Sequence, residues 1–298
     1  MDLETHLKDT PDDLAELILT VAECSRKIRD AFMGKQGMTD TKNIYGERQV
    51  ALDKWADQLL VKRLGDDLDT VKTVASEEQQ NILVYKDEDD PYNVTLDPVD
   101  GSSLIGTNLT VGTIVGIFKH HDVLSQGKKM EAAMYILYGP LNILVYTAGK
   151  GVHEFAMNKR GKYFLQRENI RIPNGKIYAP GALRRDYLPI HKKYIEMLED
   201  DGYKLRYSGC FVADVHQLLC NGGIFTYPGF KGRESGKLRL LFEANPMGFI
   251  VTKAGGAAST GLGNILDVRP SSVADRVPIY IGGKKEIELI ERLNRENI

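Results

Sequence analysis

Asn93-Val94-Thr95-Leu96-Asp97-Pro98-Val99-Asp100-Gly101-Ser102-Ser103 sets a short β-type run directly before two carboxylates three residues apart. Pro98 fixes its own φ and disfavours the helical region for Asp97. The pattern predicts a strand over 93–97 that ends at Asp97. A turn at Pro98-Val99 then lets both aspartates face one point. Gly101-Ser102-Ser103 add backbone N–H groups and two hydroxyls, and a helix beginning there attracts phosphate at its N-terminus. One turn thus offers two hard oxygen ligands for a divalent cation such as Mg2+ and a cradle for a phosphoryl group.

Upstream, an apolar strand over Val71–Ala75 runs into Glu77-Glu78. Adjacent residues at a strand end point opposite ways, so one carboxylate can ligate a metal while the other reaches a water. Four carboxylates at two strand ends repel one another unless cations sit between them.

The rest of the chain is ordinary in bulk. It has 298 residues, 42% apolar and 27% charged, with a net charge of −2. That balance argues against nucleic acid or a membrane surface as the main partner. Cys24, Cys210 and Cys220 lack disulfide-framework or zinc spacing and read as buried thiols of a reducing compartment. There is no membrane-length apolar run and no signal-peptide pattern after Met1, so a cytoplasmic protein is expected.

Thr10-Pro11-Asp12-Asp13 predicts a helix start, with a capping residue, proline at the first position and acids in the first turn. Leu14, Leu17, Ile18, Val21, Ile28 and Phe32 follow at helical spacing. Residues 34–43 read as a polar, glycine-containing loop, and Arg48–Leu64 as a second helix. Asp53 and Asp57 share one face of that helix, and Asp57 reads as solvated surface. Strands are expected at 82–85, 112–118, 132–138, 143–146 and 152–157. Beyond Lys176, helices are expected at 187–200, 213–220, 246–254 and 284–294. Short strands are expected at 204–207, 223–227 and 238–242. Alternating strands and helices imply stacked α/β layers.

A carboxylate, then Glu-Glu, then Asp-Pro-hydrophobic-Asp-Gly-Ser resembles the metal-dependent, lithium-sensitive sugar and inositol phosphatases. Val111–Phe118, Val212-Ala213-Asp214-Val215-His216, Gly222-Gly223-Ile224-Phe225 and Gly236–Met247 narrow the resemblance to class I fructose-1,6-bisphosphatase. It runs from the first helix to Val277-Pro278-Ile279. The resemblance implies a five-layer α-β-α-β-α sandwich. Residues 1–170 would form a metal-binding and regulatory subdomain, and 171–298 a substrate-binding one. It also implies Mg2+, with Mn2+ or Zn2+ as substitutes, held by Glu77, Asp97, Asp100, Glu243 and the Val99 carbonyl. Glu78 and Asp53 would take the proton of the attacking water, and Glu47 would join as ligand or base. Asp100, Gly101, Ser102 and Ser103 would hold the phosphoryl group removed. Tyr207, Tyr227 and Lys237 would hold the phosphate that stays, helped by Arg206 from a neighbouring subunit of a homo-oligomer, a tetramer in the family. Arg239 would support the metal ligands, and His216 would only pack.

Departures bear on specificity. Gly181 and Arg184 stand where the family has an asparagine and a tyrosine on the retained phosphate, and Arg184 is positioned to replace the tyrosine. Phe211 replaces a methionine, and Leu104-Ile105-Gly106 replaces a polar run. Pro91 replaces the lysine of the family's AMP pocket, so that site is not carried over. The expected activity is removal of the 1-phosphate of fructose 1,6-bisphosphate in gluconeogenesis. The alternatives are a broader phosphatase for sedoheptulose bisphosphate or inositol phosphate, and a non-catalytic phosphosugar sensor.

Overall fold

The computed structural model describes residues 1–32, 38–42, 48–86 and 91–297, with backbone alone for 38–42 and 48–50. Helix α1 (Leu3–His6) is capped by Asp2, whose side chain accepts the Thr5 N–H at 3.0 Å. Helix α2 (Asp12–Ala31) starts slightly later than expected: Pro11 takes the capping position, and Thr10 closes a 3-10 turn over Leu7–Asp9. Strands β1 (Met38–Lys42) and β2 (Arg48–Val50) form an antiparallel ribbon. Part of the expected loop is therefore strand, and helix α3 spans only Ala51–Gly65. Glu47 lies outside the described residues.

Eight strands follow: β3 (Val71–Ser76), β4 (Leu83–Val84), β5 (Tyr92–Asp100), β6 (Val111–Lys119), β7 (Met130–Tyr138), β8 (Asn142–Thr147), β9 (His153–Met157) and β10 (Tyr163–Arg167). They make one sheet in the order β10-β9-β8-β7-β6-β5-β3-β4. From β5 to β10 each strand lies antiparallel to its sequence neighbour, while β3 runs parallel to β5. The strand that should stop at Asp97 continues to Asp100. Asp97 faces Ile114 and Asp100 faces Gly112, so β5 holds one residue more than β6 between these pairs. The expected turn is a β-bulge, a place where a strand tolerates proline. Thr113 Oγ1 donates to the Pro98 carbonyl at 2.7 Å.

The second half contributes β11 (Ile177–Pro180), α4 (Pro189–Asp200), β12 (Lys204–Leu205), α5 (Phe211–Asn221), β13 (Ile224–Tyr227), α6 (Asn245–Lys253), β14 (Ala257–Ser259), β15 (Ile279–Gly282) and α7 (Lys284–Arg295). Its sheet runs β12-β11-β13-β15-β14. The strand expected over 238–242 is absent. Leu240–Ala244 instead form a π-turn that leads into α6, and Arg239 makes a single bridge to Arg276. The run is apolar enough for a buried strand, but Asn245-Pro246 begins a helix directly after it, and the turn joins that helix.

Side-chain alternation sorts the layers. On β7, Ala132, Met134, Ile136 and Tyr138 face a core with Leu17, Ile18 and Val21 of α2 and Leu60 and Leu64 of α3. Ala133, Tyr135 and Leu137 face the opposite way, onto Val212, Val215 and Leu218 of α5 and Met247 and Ile250 of α6. That second core also takes Ala179, Phe225, Ile279 and Ile281 from the smaller sheet. The far face of the smaller sheet, with Tyr178, Ile224 and Tyr280, meets Tyr194 and Leu198 of α4 and Ile287 and Ile290 of α7. Helices, sheet, helices, sheet and helices alternate, the layered α/β sandwich expected.

Candidate active site

A cleft of about 510 Å³ opens between the end of β5, the π-turn and the smaller sheet. The bulge does the first placing. Asp97 Oδ1 accepts the Val99 N–H at 3.1 Å, a local turn that fixes its carboxylate. Asp100 Oδ2 accepts the Val212 N–H at 2.6 Å, in the first turn of α5, and lies 3.2 Å from Cys210 Sγ. The π-turn then carries Glu243 inward, where the Arg239 N–H donates to its Oε2. Oxygens of Asp97, Asp100 and Glu243 all lie within 4.8 Å of one another, and all three side chains are buried.

Nearby carboxylates add to this charge. The Glu77 N–H donates to the Leu96 carbonyl at 2.9 Å, which ties the end of β3 to β5. Buried Arg239 places Nε 3.3 Å from Glu77 Oε1. Burial, with the Glu77 charge next, holds Asp97 and Glu243 well above the ordinary carboxylate range. Burial also raises Asp100, against the pull of its hydrogen bonds. Asp53, from α3, is pushed up to about 8 by burial and then by Glu78, while a hydrogen bond from Ser102 opposes the shift. Clustered, buried, oxygen-only donors are the chemistry of a hard divalent cation, whose charge would return these groups to their ionised form.

Gly101 adopts φ +78° and turns the chain into a short 3-10 helix over Ser102–Thr107. Gly101, Ser102 and Ser103 line the cleft beside the carboxylates. Tyr207, Tyr227 and Lys237 line it too, and the Lys237 ammonium sits 5.8 Å from the centre of the Tyr227 ring. The structure thus brings together Asp53, Glu77, Glu78, Asp97, Val99, Asp100, Gly101, Ser102, Ser103, Tyr207, Tyr227, Lys237 and Glu243. Arg276, which the sequence reading missed, also lines the cleft, and its guanidinium donates to the Lys237 carbonyl. Its only signal was its place beside Val277-Pro278 at the end of the motif-bearing region.

Two pattern-based readings fail. Asp57 is not solvated surface: it is 2% exposed, accepts from Ser76 Oγ at 2.6 Å, and accepts from the Gln79 amide. Cys220 is exposed, with Arg167 donating toward its sulfur at 3.1 Å, whereas Cys24 and Cys210 are buried as expected.

Family models for the fructose-1-6-bisphosphatase N-terminal and C-terminal domains match residues 6–168 and 172–295. The chain belongs to the class 1 fructose-1,6-bisphosphatase family. The family member of Geobacter sulfurreducens is 48% identical over 293 residues, covering 96% of this chain and 93% of that one. That of Geotalea uraniireducens is 49% identical over 293 residues, with the same coverage. Among solved structures, Leishmania major fructose-1,6-bisphosphatase in holo form superposes with a TM-score of 0.93 at 29% identity, covering 99% of both chains.

Against that family pattern, the departures now have physical settings. Leu104 packs against both large cores and Ile105 against one, which accounts for apolar residues in an otherwise polar stretch. Phe211 packs against Phe225, ring centres 4.9 Å apart, and both line the cleft. Arg184 does not enter the cleft: its guanidinium pairs with Glu196 at 3.7 Å and Glu199 at 3.5 Å on α4. Gly181 faces the Tyr227 ring, and a Cβ there would lie 2.2 Å from ring carbon Cδ2. Arg206 is exposed, outside the cleft lining, and donates to its neighbour's carbonyl, that of Leu205, at 3.0 Å.

Proposed function

We propose that this chain hydrolyses the 1-phosphate of fructose 1,6-bisphosphate, giving fructose 6-phosphate and phosphate, with Mg2+ as its working cation. The observation that carries the reading is a single cleft lined both by buried carboxylates and by Tyr207, Tyr227 and Lys237. All-oxygen donors favour Mg2+ or Mn2+ over Zn2+, which prefers nitrogen and sulfur. Glu77, Asp97, Asp100, Glu243 and the Val99 carbonyl would hold the ions. Bound there, divalent ions neutralise phosphoryl oxygens, sharpen a water as nucleophile and stabilise the leaving alkoxide.

The chain's own groups do the rest. Gly101 and Ser102 hold the phosphoryl group, and Ser103 lies beside them. Lys237 and the two tyrosines hold the far phosphate and so fix which ester faces the carboxylates. Asp53 and Glu78 accept the proton of the attacking water as its oxygen bonds to phosphorus. Burial and the Glu78 charge raise the proton affinity of Asp53, and a bound cation would lower it enough to leave the carboxylate ionised and free to accept. The C1 oxygen leaves with the bond electrons and takes the proton drawn from the water, becoming the sugar hydroxyl. Glu47 joins as ligand or base in this reading.

The division into a metal-binding half, 1–170, and a substrate half, 171–298, remains our proposal, with Glu243 crossing it. We also propose a cytoplasmic homo-oligomer, a tetramer, in which Arg206 serves a neighbour's cleft. Its exposed position outside its own cleft supports this. Light scattering tests the assembly, and a fully active monomer would sink the shared arginine. The substituted loop favours a second reading with broader range, since Arg184 is engaged elsewhere.

Phosphate release from a panel of sugar bisphosphates and inositol phosphate decides between these readings. EDTA should abolish turnover and Mg2+ restore it. Asp100→Asn keeps the acceptor for the Val212 N–H but loses the charge, so the fold should survive while kcat falls by at least about 100-fold. Full activity in EDTA would overturn the proposal.

A further inference from the structure

A second cluster of metal-ligating side chains lies far from the cleft, at the other edge of the large sheet. His6 ends α1, His153 opens β9, and Glu168 follows β10. Strand β9 is four places from β5 in the sheet order, or roughly 19 Å at ~4.8 Å per strand. The N-terminal segment is laid on this edge by the Asp2–Phe164 bridge and by the Leu165 N–H, which donates to the Met1 carbonyl at 3.0 Å.

One ring nitrogen from each histidine and one Glu168 oxygen all lie within 4.8 Å of one another. His6 Nε2 is 3.5 Å from Glu168 Oε1. Two donors bound at ~2.05 Å to a tetrahedral zinc lie about 3.3 Å apart, so this pair is already close to ligating distance. Outer partners steady both rings: His6 Nδ1 is 2.6 Å from the Tyr146 hydroxyl, and His153 Nε2 is 3.1 Å from the Lys150 carbonyl. Metal-bound histidines usually carry such outer-shell contacts. With Nε2–H given to Lys150, the His153 lone pair sits at Nδ1. That atom is buried without a hydrogen-bond partner, on a residue 7% exposed. Leaving a buried acceptor unmatched is costly, and a metal ion would match it.

We propose that His6, His153 and Glu168 form a second metal site, taking a transition ion such as Zn2+ and clamping the N-terminal helix to the sheet edge. Two imidazoles and one carboxylate suit Zn2+ and not Mg2+ or Ca2+. Among the described residues, the other cluster outside the cleft, Glu154, His216 and Cys220, carries a competing cation. Arg167 pairs with Glu154 and donates toward the Cys220 sulfur.

The test uses the full chain, stripped with chelator and dialysed against Zn2+, with bound zinc counted per chain. His153→Gln and Glu168→Gln should each bind one zinc fewer than the unmutated protein while keeping Mg2+-supported phosphatase activity. Equal zinc in all three proteins would overturn the site. Glu168, whose side chain is 54% exposed, guards against a folding artefact. If His153→Gln does not fold, the Glu168→Gln count alone decides. Co2+ gives a second readout: a tetrahedral absorption band in the unmutated chain should be lost in Glu168→Gln, and its persistence would count against the site.

Discussion

Gly181 and Arg184 occupy different settings near the cleft, and each gives its own expectation. Arg184 is held by two glutamates of α4, and more than half of its side chain is exposed. Arg184→Ala should therefore leave KM for fructose 1,6-bisphosphate within a few-fold of its original value. A 10-fold or larger rise would mean that the arginine swings into the cleft with substrate. Gly181 behaves differently, because the Tyr227 ring occupies the space that a side chain would need. Gly181→Asn installs the family's residue but must displace that ring. It should raise KM for the bisphosphate about 10-fold, roughly 1.4 kcal/mol, while turnover of a small aryl phosphate stays unchanged. Steady-state kinetics on the two substrates separate these outcomes.

Elements carry the carboxylates to one point, and the junction of β5, β6 and α5 is closely fitted. Gly112 stands opposite Asp100, and a Cβ there would lie 2.4 Å from both the Ile136 carbonyl and Val212 Cγ1. Gly112→Ala should push α5 away and with it the Val212 N–H from Asp100. We expect a loss of about 1–3 kcal/mol in urea unfolding and a higher Mg2+ concentration for half-maximal activity. A change in stability with no change in Mg2+ dependence would break the link between this contact and the carboxylate cluster. Where strand pattern and motif coincided in the sequence, as at Val71–Glu78 and Asn93–Ser103, the site was legible because its chemistry is local. Asp57 was misread because Ser76 and Gln79, which cover it, belong to a different element. The π-turn at Leu240–Ala244 was misread because a short apolar run fits a strand equally well until the helix after it is weighed. Arg276 enters from a loop with no periodicity to announce it.

For the whole molecule, the buried histidine with the largest shift should contribute to stability in acid. His191, in α4, is 3% exposed and sits 3.1 Å from the Tyr280 hydroxyl, between the outer helices and the smaller sheet. Burial lowers its pKa from 6.5 to about 3. A folded-state pKa below the unfolded one means that its contribution is fully present above about pH 6.5 and is lost as pH falls toward 3. The shift corresponds to an amount on the order of 5 kcal/mol. His191→Gln keeps a polar partner for Tyr280 but does not titrate. Its melting temperature should fall less than that of the unmutated protein between pH 6.5 and 4.5, and parallel curves would refute the assignment.

The order of strands in the large sheet has a consequence for synthesis on the ribosome. Strands β5 to β10 pair with their sequence neighbours, so the sheet can close once residue 167 has emerged. Helices α5 and α6, which cover its second face, are still untranslated at that moment. Tyr135, Val145 and Ile114 then face water for the time needed to make about eighty more residues, roughly 4–16 s at about 5–20 residues per second. A nascent chain with residue 170 just clear of the ribosome should bind a hydrophobic dye and recruit holdase chaperones. One with residue 260 clear of the ribosome should do neither.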